Sequence, residues 1–140
     1  MLRKLSILVV TLLVAGLAAY WWLTMPVAMS AAALPAYTAD LANGKTTFDI
    51  GGCSSCHAVP KQEDRTRLGG GLALGSPFGT FYAPNISPDL TDGIGRWTEA
   101  EFVTAVIEGT SPTGAHYFPA FPYAAYHQAK IPDVRHLFAY

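Results

Sequence analysis

Apolar positions along the chain form one unbroken run near the start and short clusters thereafter. Arg3 and Lys4 precede Leu5–Leu23, a stretch of about 19 mostly apolar residues that spans roughly 28 Å as a helix, close to the hydrocarbon thickness of a bilayer. No charged residue stands from Leu5 to Ala39, and Tyr20, Trp21 and Trp22 sit where interfacial aromatics anchor a span. Two readings compete. A cleaved secretory signal could use Ala31-Ala32-Ala33 as its small-residue site, but the apolar run is long for a signal. An uncleaved signal-anchor over residues 1–25 is therefore favoured. Arg3 and Lys4 leave the remainder on the far side of the membrane, and either reading exports it. Residues 26–36 are small, contain proline and lack periodicity, which predicts a linker and a soluble domain over 37–140.

Within that domain the pattern is helical in three places. Thr38–Ile50 reads as a helix with Phe48 and Ile50 towards a core, ending at Gly51-Gly52. Gly44 in its middle costs about 1 kcal/mol against alanine and hints at a close helix approach. Thr98-Glu99-Ala100-Glu101 fits a capping box, Phe102, Val103, Val106 and Ile107 supply an apolar face, and Gly109 stops the helix. Pro132–Tyr140 starts a last helix, with Asp133 in its first turn and Val134, Leu137 and Phe138 apolar. The chain stops within that helix without a cap, which predicts a truncated end. Between the helices, Gly69–Pro88 and Gly109–Ala129 are rich in glycine, proline and aromatics. Stretches of that length without secondary structure imply that they wrap a functional object.

Composition narrows the function. The 9 basic and 10 acidic side chains give a net charge of −1, which excludes a nucleic-acid binder working by bulk charge. With Arg3 and Lys4 set aside the exported part carries about −3. The 2 cysteines stand together in Cys53-Ser54-Ser55-Cys56-His57, the c-type haem attachment sequence. Each thiol adds across one haem vinyl group, and two intervening residues set the sulfurs at the vinyl separation. His57 is then carried beneath the ring as the proximal iron ligand. The alternatives are weaker: zinc needs further ligands that no other cysteine supplies, and a thioredoxin-like thiol site wants a βαβ context. A haem-free thiol protein would be excluded by a haem spectrum that survives denaturation and acid extraction.

Asn43-Gly44-Lys45 through Phe48, followed by Gly51-Gly52 and the cysteine motif, resembles the opening of a class I cytochrome c domain. The resemblance implies that a glycine and an aromatic of the first helix pack on the last, here on Leu137 and Tyr140. More narrowly, Phe78-Gly79-Thr80-Phe81-Tyr82-Ala83-Pro84-Asn85-Ile86-Ser87-Pro88, Gly93-Ile94-Gly95-Arg96-Trp97-Thr98 and Tyr117-Phe118-Pro119-Ala120-Phe121-Pro122-Tyr123 resemble the membrane-associated cytochrome c subunits of periplasmic alcohol, aldehyde and sugar dehydrogenases. Those subunits usually carry two or three haem domains in one chain, so a further domain is expected. The resemblance implies an all-α, cytochrome c-like domain with long haem-wrapping loops behind one transmembrane or signal helix. It implies one covalent haem c here and an electron-transfer subunit rather than an enzyme in its own right. The implied partners are a dehydrogenase subunit, a respiratory-chain acceptor and the inner membrane, with the haem domain in the periplasm.

The pattern breaks at the sixth iron ligand. Class I cytochromes supply methionine there, whereas the 3 methionines of this chain, Met1, Met25 and Met29, all precede the domain. Relatives often carry methionine in place of Phe121, and others near Ala129. His127, two residues from the latter, and His116 are the candidates that remain, while His136 reads as solvated. A second histidine lowers the haem potential relative to methionine. An open sixth site would instead admit a diatomic ligand or peroxide, with His116 or His127 as distal base. Arg96 and Trp97 are the favoured partners of the haem propionates, with Arg65 and Arg67 behind them. Phe78, Phe81, Tyr82, Phe118, Phe121 and Tyr123 are expected to line the haem crevice. The carbonyl of Pro77 or Pro84 would orient His57 through its free ring nitrogen. Gly69-Gly70-Gly71 lacks the Lys-Ser/Thr and strand context of a phosphate loop.

Overall fold

A computed structural model describes residues 2–140. Helix dominates, with one small hairpin. Helix α1 (Leu2–Leu23) is apolar, wholly exposed, and long enough to cross a membrane. The rest is built from α2 (Leu41–Ile50), α3 (Cys53–His57), β1 (Ala73–Ser76), β2 (Gly79–Tyr82), α4 (Glu99–Glu108), α5 (Tyr123–Tyr126) and α6 (Ile131–Ala139).

Helix α2 begins three residues later than its pattern predicts. The Asp40 carboxylate accepts the backbone N–H groups of Ala42 and Asn43, at 3.0 Å each, so Asp40 rather than Thr38 ends the preceding extended chain. Gly44 and Phe48, one helical turn apart, are buried against α6, whereas Ile50 is 81% exposed. The expectation that Ile50 faces the core fails because it lies about 200° round the helix from Phe48. At Gly44 a Cβ would run into the carbonyl oxygen of His136 and come within 2.8 Å of the Tyr140 Cβ. The two backbones can cross this closely only over a glycine. Phe48 meets the Tyr140 ring at 5.6 Å. The contact on the last helix thus falls on His136 and Tyr140, and Leu137 is not the residue that Gly44 abuts.

Helix α4 has the full capping box: Glu101 N–H donates to the Thr98 hydroxyl, and the Glu101 carboxylate accepts the Thr98 N–H at 2.7 Å. Gly109 ends it in the left-handed conformation. Val103 and Ile107 pack with Val134 of α6 as the core cluster, and Phe102 meets Phe138 at 5.0 Å. The stretch expected as a loop from Gly69 contains the β1–β2 hairpin, in which Ala73 pairs with Tyr82 and Ser76 with Gly79. Its strands are two-stranded and edge-like, so the glycines and prolines that exclude a central strand do not exclude them.

Residues 24–37 lie along the domain rather than away from it. The Met29 N–H donates to the Thr104 hydroxyl at 2.9 Å, and the Met29 side chain packs on the core cluster. Arg135, 5% exposed, donates to the Pro35 carbonyl at 2.6 Å and to both Glu99 carboxylate oxygens at 2.9 Å. Its guanidinium also stacks 3.7 Å over the Tyr37 ring, whose hydroxyl donates to the Arg135 carbonyl. Sequence patterning missed this cluster because a buried arginine in a helix looks like any surface charge.

The cluster has a pH signature. The hydrogen bond from Arg135 holds the Glu99 carboxyl below the usual glutamate range. A carboxyl depressed in the folded state adds stability above its unfolded value, near pH 4.3, and loses it as pH falls through the folded value. Thermal melts from pH 7 to pH 3 should show a fall in Tm below about pH 4.3 that is smaller in the Glu99→Gln variant. Parallel curves for the two proteins would remove Glu99 from the acid response.

Candidate functional site

The attachment motif occupies the single turn α3. The chain leaves α2 through Gly51, turns at Gly52 in the left-handed region (φ 64°), and enters the Cys53–His57 helix. Cys53 and Cys56, three residues apart, therefore share one face of a turn. Both are half-buried free thiols. Burial pushes the Cys53 thiol up. A redox-active Cys-x-x-Cys site lowers its nucleophilic thiol instead. Among the described residues no three of His, Cys, Asp and Glu converge as a zinc ion needs.

His57 is oriented through its ring. Its Nδ1 donates to the Pro84 carbonyl at 2.8 Å, which leaves Nε2 free. Of the two prolines that the sequence offers, the structure selects Pro84. The carbonyl is held by the glycine run: Gly70 N–H donates to the His57 carbonyl and Gly71 N–H to the Ala83 carbonyl, both at 2.8 Å. Gly70 stands at φ 71°, and a Cβ there would run into the carbonyls of Ala83 and Pro84. Gly69-Gly70-Gly71 is thus the seat of the Ala83-Pro84 segment. A metal-ligating histidine almost always donates its second ring nitrogen to a carbonyl or carboxylate, and His57 does so. The residues therefore fit a haem held at Cys53, Cys56 and the Nε2 of His57.

Two further side chains close on this turn. Arg65 Nη2 donates to the Ser54 carbonyl at 2.8 Å, so its charge serves the attachment helix. The Tyr126 hydroxyl donates to the Gly51 carbonyl at 2.7 Å. Burial, followed by the nearby Cys53 and Cys56, raises the Tyr126 phenol. Sequence reading missed Tyr126, since nothing local ties it to a carbonyl 75 residues away.

The other histidines separate by what their ring nitrogens touch. His116 Nε2 bonds the Thr24 carbonyl at 2.8 Å, at the end of α1. His127, exposed, turns Nδ1 to the Ile107 carbonyl at 3.2 Å, and no protein group takes its Nε2 among the described residues. His136 is not solvated as expected: its Nδ1 accepts the Asp40 N–H at 2.9 Å, and its ring lies 5.3 Å from that of Tyr37. Phe121 sits among Tyr117, Tyr123 and Tyr126 at 5.7, 6.3 and 6.0 Å. Arg96 is exposed and Trp97 half-buried, and no side-chain hydrogen bond joins either to α3 among the described residues. Phe78 is 82% and Tyr82 68% exposed on the polypeptide.

No protein-family model matches the chain. It is 43% identical over 142 aligned residues to a diheme cytochrome c-type protein of Cereibacter sphaeroides, covering 100% of this chain and 48% of the relative. It is 42% identical over 100 residues to a subunit of the nicotinate dehydrogenase of Pseudomonas putida, covering 71% of this chain and 8% of that one. With the fructose dehydrogenase cytochrome subunit of Gluconobacter japonicus it shares 41% over 88 residues, covering 63% and 18%. The chain thus spans about half the length of the first relative and far less of the other two.

Proposed function

The chain carries a c-type cytochrome domain related to the cytochrome c subunits of dehydrogenases, and from that premise we propose that it is an exported electron carrier with one covalent haem c. Residues 1–25 anchor it in the inner membrane, 26–36 connect, and 37–140 form the cytochrome c-like domain in the periplasm. Its electron donor is a dehydrogenase subunit and its acceptor belongs to the respiratory chain. The observation that carries this reading is the orientation of His57, with Nδ1 committed to Pro84 and Nε2 free beside two thiols on the same turn.

The haem, when bound, supplies one-electron redox chemistry at its iron. The protein's share is to hold and tune it. Cys53 and Cys56 hold the ring by thioether bonds, and His57 ligates through Nε2. Pro84 fixes the tautomer of His57 by accepting a hydrogen bond from Nδ1–H. Tyr126 and Arg65 keep the attachment turn in place through the carbonyls of Gly51 and Ser54. Arg96 and Trp97 serve the propionates.

For the sixth position the hydrogen bonding favours His127 over His116. His127 repeats the arrangement of His57, Nδ1 towards a backbone carbonyl and Nε2 free, whereas the Nε2 of His116 is engaged by Thr24. The domain's lack of methionine supports a second reading, an iron open to small molecules. Visible spectra of the oxidised, reduced and carbon monoxide-treated protein separate the two. The expected result is a low-spin spectrum indifferent to carbon monoxide in the wild type and in His116→Ala, and a high-spin, carbon monoxide-binding His127→Ala variant. Carbon monoxide binding by the wild type would establish the open iron instead.

A further inference from the structure

We propose that the tip of the β1–β2 hairpin and Phe118 form a second membrane contact, an aromatic seat that dips into the lipid interface beside the anchor helix. This rests on the reading that α1 spans the bilayer. Phe118 stacks on Phe81 at 4.3 Å with the planes 13° apart, and Phe78 meets it edge-on at 6.2 Å. Phe78 at the hairpin tip is 82% exposed and Phe118 48%, an apolar ring cluster offered to the outside. The tip stands about 13 Å along the strands from Ala83, the base next to the carbonyl that holds His57.

Position and charge argue for lipid as the occupant. His116, two residues before Phe118, bonds the carbonyl of Thr24, the residue that follows α1. That bond pins the Phe118 loop to the end of the apolar helix where Trp21 and Trp22 mark the membrane–water boundary. The connection is not a free tether: Met29 to Thr104 and Pro35 to Arg135 hold residues 24–37 along the domain. The same loops are also charge-free, with no Asp, Glu, Lys or Arg from Leu68 to Pro88 or from Gly109 to Ala129. A surface that meets the headgroup–acyl boundary must avoid buried charge, whereas exposed aromatic rings are stabilised there. With two contacts on the bilayer the domain is fixed in orientation.

The test is nitroxide labelling of the haem-loaded full chain in phospholipid vesicles, at Phe78→Cys and, separately, at Leu12→Cys within α1. The unsubstituted chain carried through the same labelling gives the background from Cys53 and Cys56. The visible spectrum of each labelled variant, matched to that of the unsubstituted chain, checks that the haem site is intact. The expected result is a ratio of oxygen to nickel-chelate relaxation at residue 78 several-fold above that of a label in water, approaching the ratio at residue 12. A buried label at residue 12 with a water-like label at residue 78 overturns the seat and leaves the anchor standing. Water-like labels at both positions overturn the seat together with the anchor. A label at residue 78 that is wet in pure lipid vesicles but shielded in native membranes also overturns it, and assigns the patch to a protein partner.

Discussion

Expression of the His57→Ala variant with a c-type maturation system yields no stable, haem-loaded protein. The reason is that a single side chain combines two duties. Its Nε2 is the proposed proximal ligand, and its Nδ1 is the donor that closes α3 onto the Pro84 carbonyl. Without it the turn loses both its metal bond and its bond to the glycine-seated Ala83-Pro84 segment. Cys53→Ala and Cys56→Ala each remove one thioether and should lower haem content steeply while leaving the His57 bond to Pro84 in place. The measurement is covalently bound haem per chain after denaturation and acid extraction, together with the far-ultraviolet circular dichroism. A domain of about 100 residues has a small apolar core, so the covalent haem is expected to supply much of what folds it. Recovery of a folded, low-spin, haem-loaded His57→Ala protein would falsify the assignment of the attachment turn.

The second large effect is expected far from the metal. Gly44→Val should lower Tm by about 15 °C, since forcing extra methyl groups into a close-packed contact costs about 1–3 kcal/mol or more, and each kcal/mol is worth about 4–8 °C in a domain of this size. The obstacle is the backbone carbonyl of His136, not the end of a flexible side chain, so α2 and α6 must separate to make room. Separation also pulls on the Asp40 N–H to His136 Nδ1 bond and on the Asn43 to Asp133 bond, at 2.9 and 2.7 Å. Lys45→Ala, on the exposed side of the same helix, removes only the Asp49 pair and should change Tm very little. Equal melting of the Gly44→Val variant and the wild type would show that the crossing has slack that the backbone contacts do not reveal.

Pattern and structure agree in some elements and part in others. The capping box of α4 was legible because both its hydrogen bonds close within four consecutive residues, Thr98 to Glu101. The close approach at Gly44 was legible for another reason: a glycine in a helix interior is costly unless a neighbour needs the space. Ile50 was misplaced because a short helix shows an apolar residue without showing its direction once the helix ends at Gly51. His136 was misread as solvated because its partner, the Asp40 N–H, lies 96 residues away. Arg135 and Glu99 read as ordinary surface charges, and only the packing of α4 against α6 and Pro35 buries the arginine.

The division has one physical origin. By itself the sequence determined whatever is completed within a turn or a few residues: an apolar run of bilayer length, a capping box, two thiols and an imidazole at haem-attachment spacing. Such features depend on covalent geometry and local hydrogen bonds, which neighbouring residues specify. Tertiary structure decided the rest. It chose Pro84 over Pro77 for His57 across 27 residues, and it sent His116 to Thr24 across 92. It also laid residues 24–37 along α4 and α6. Each of these outcomes turns on which distant carbonyl a polar group finds when the chain closes, and that is set by how the helices pack.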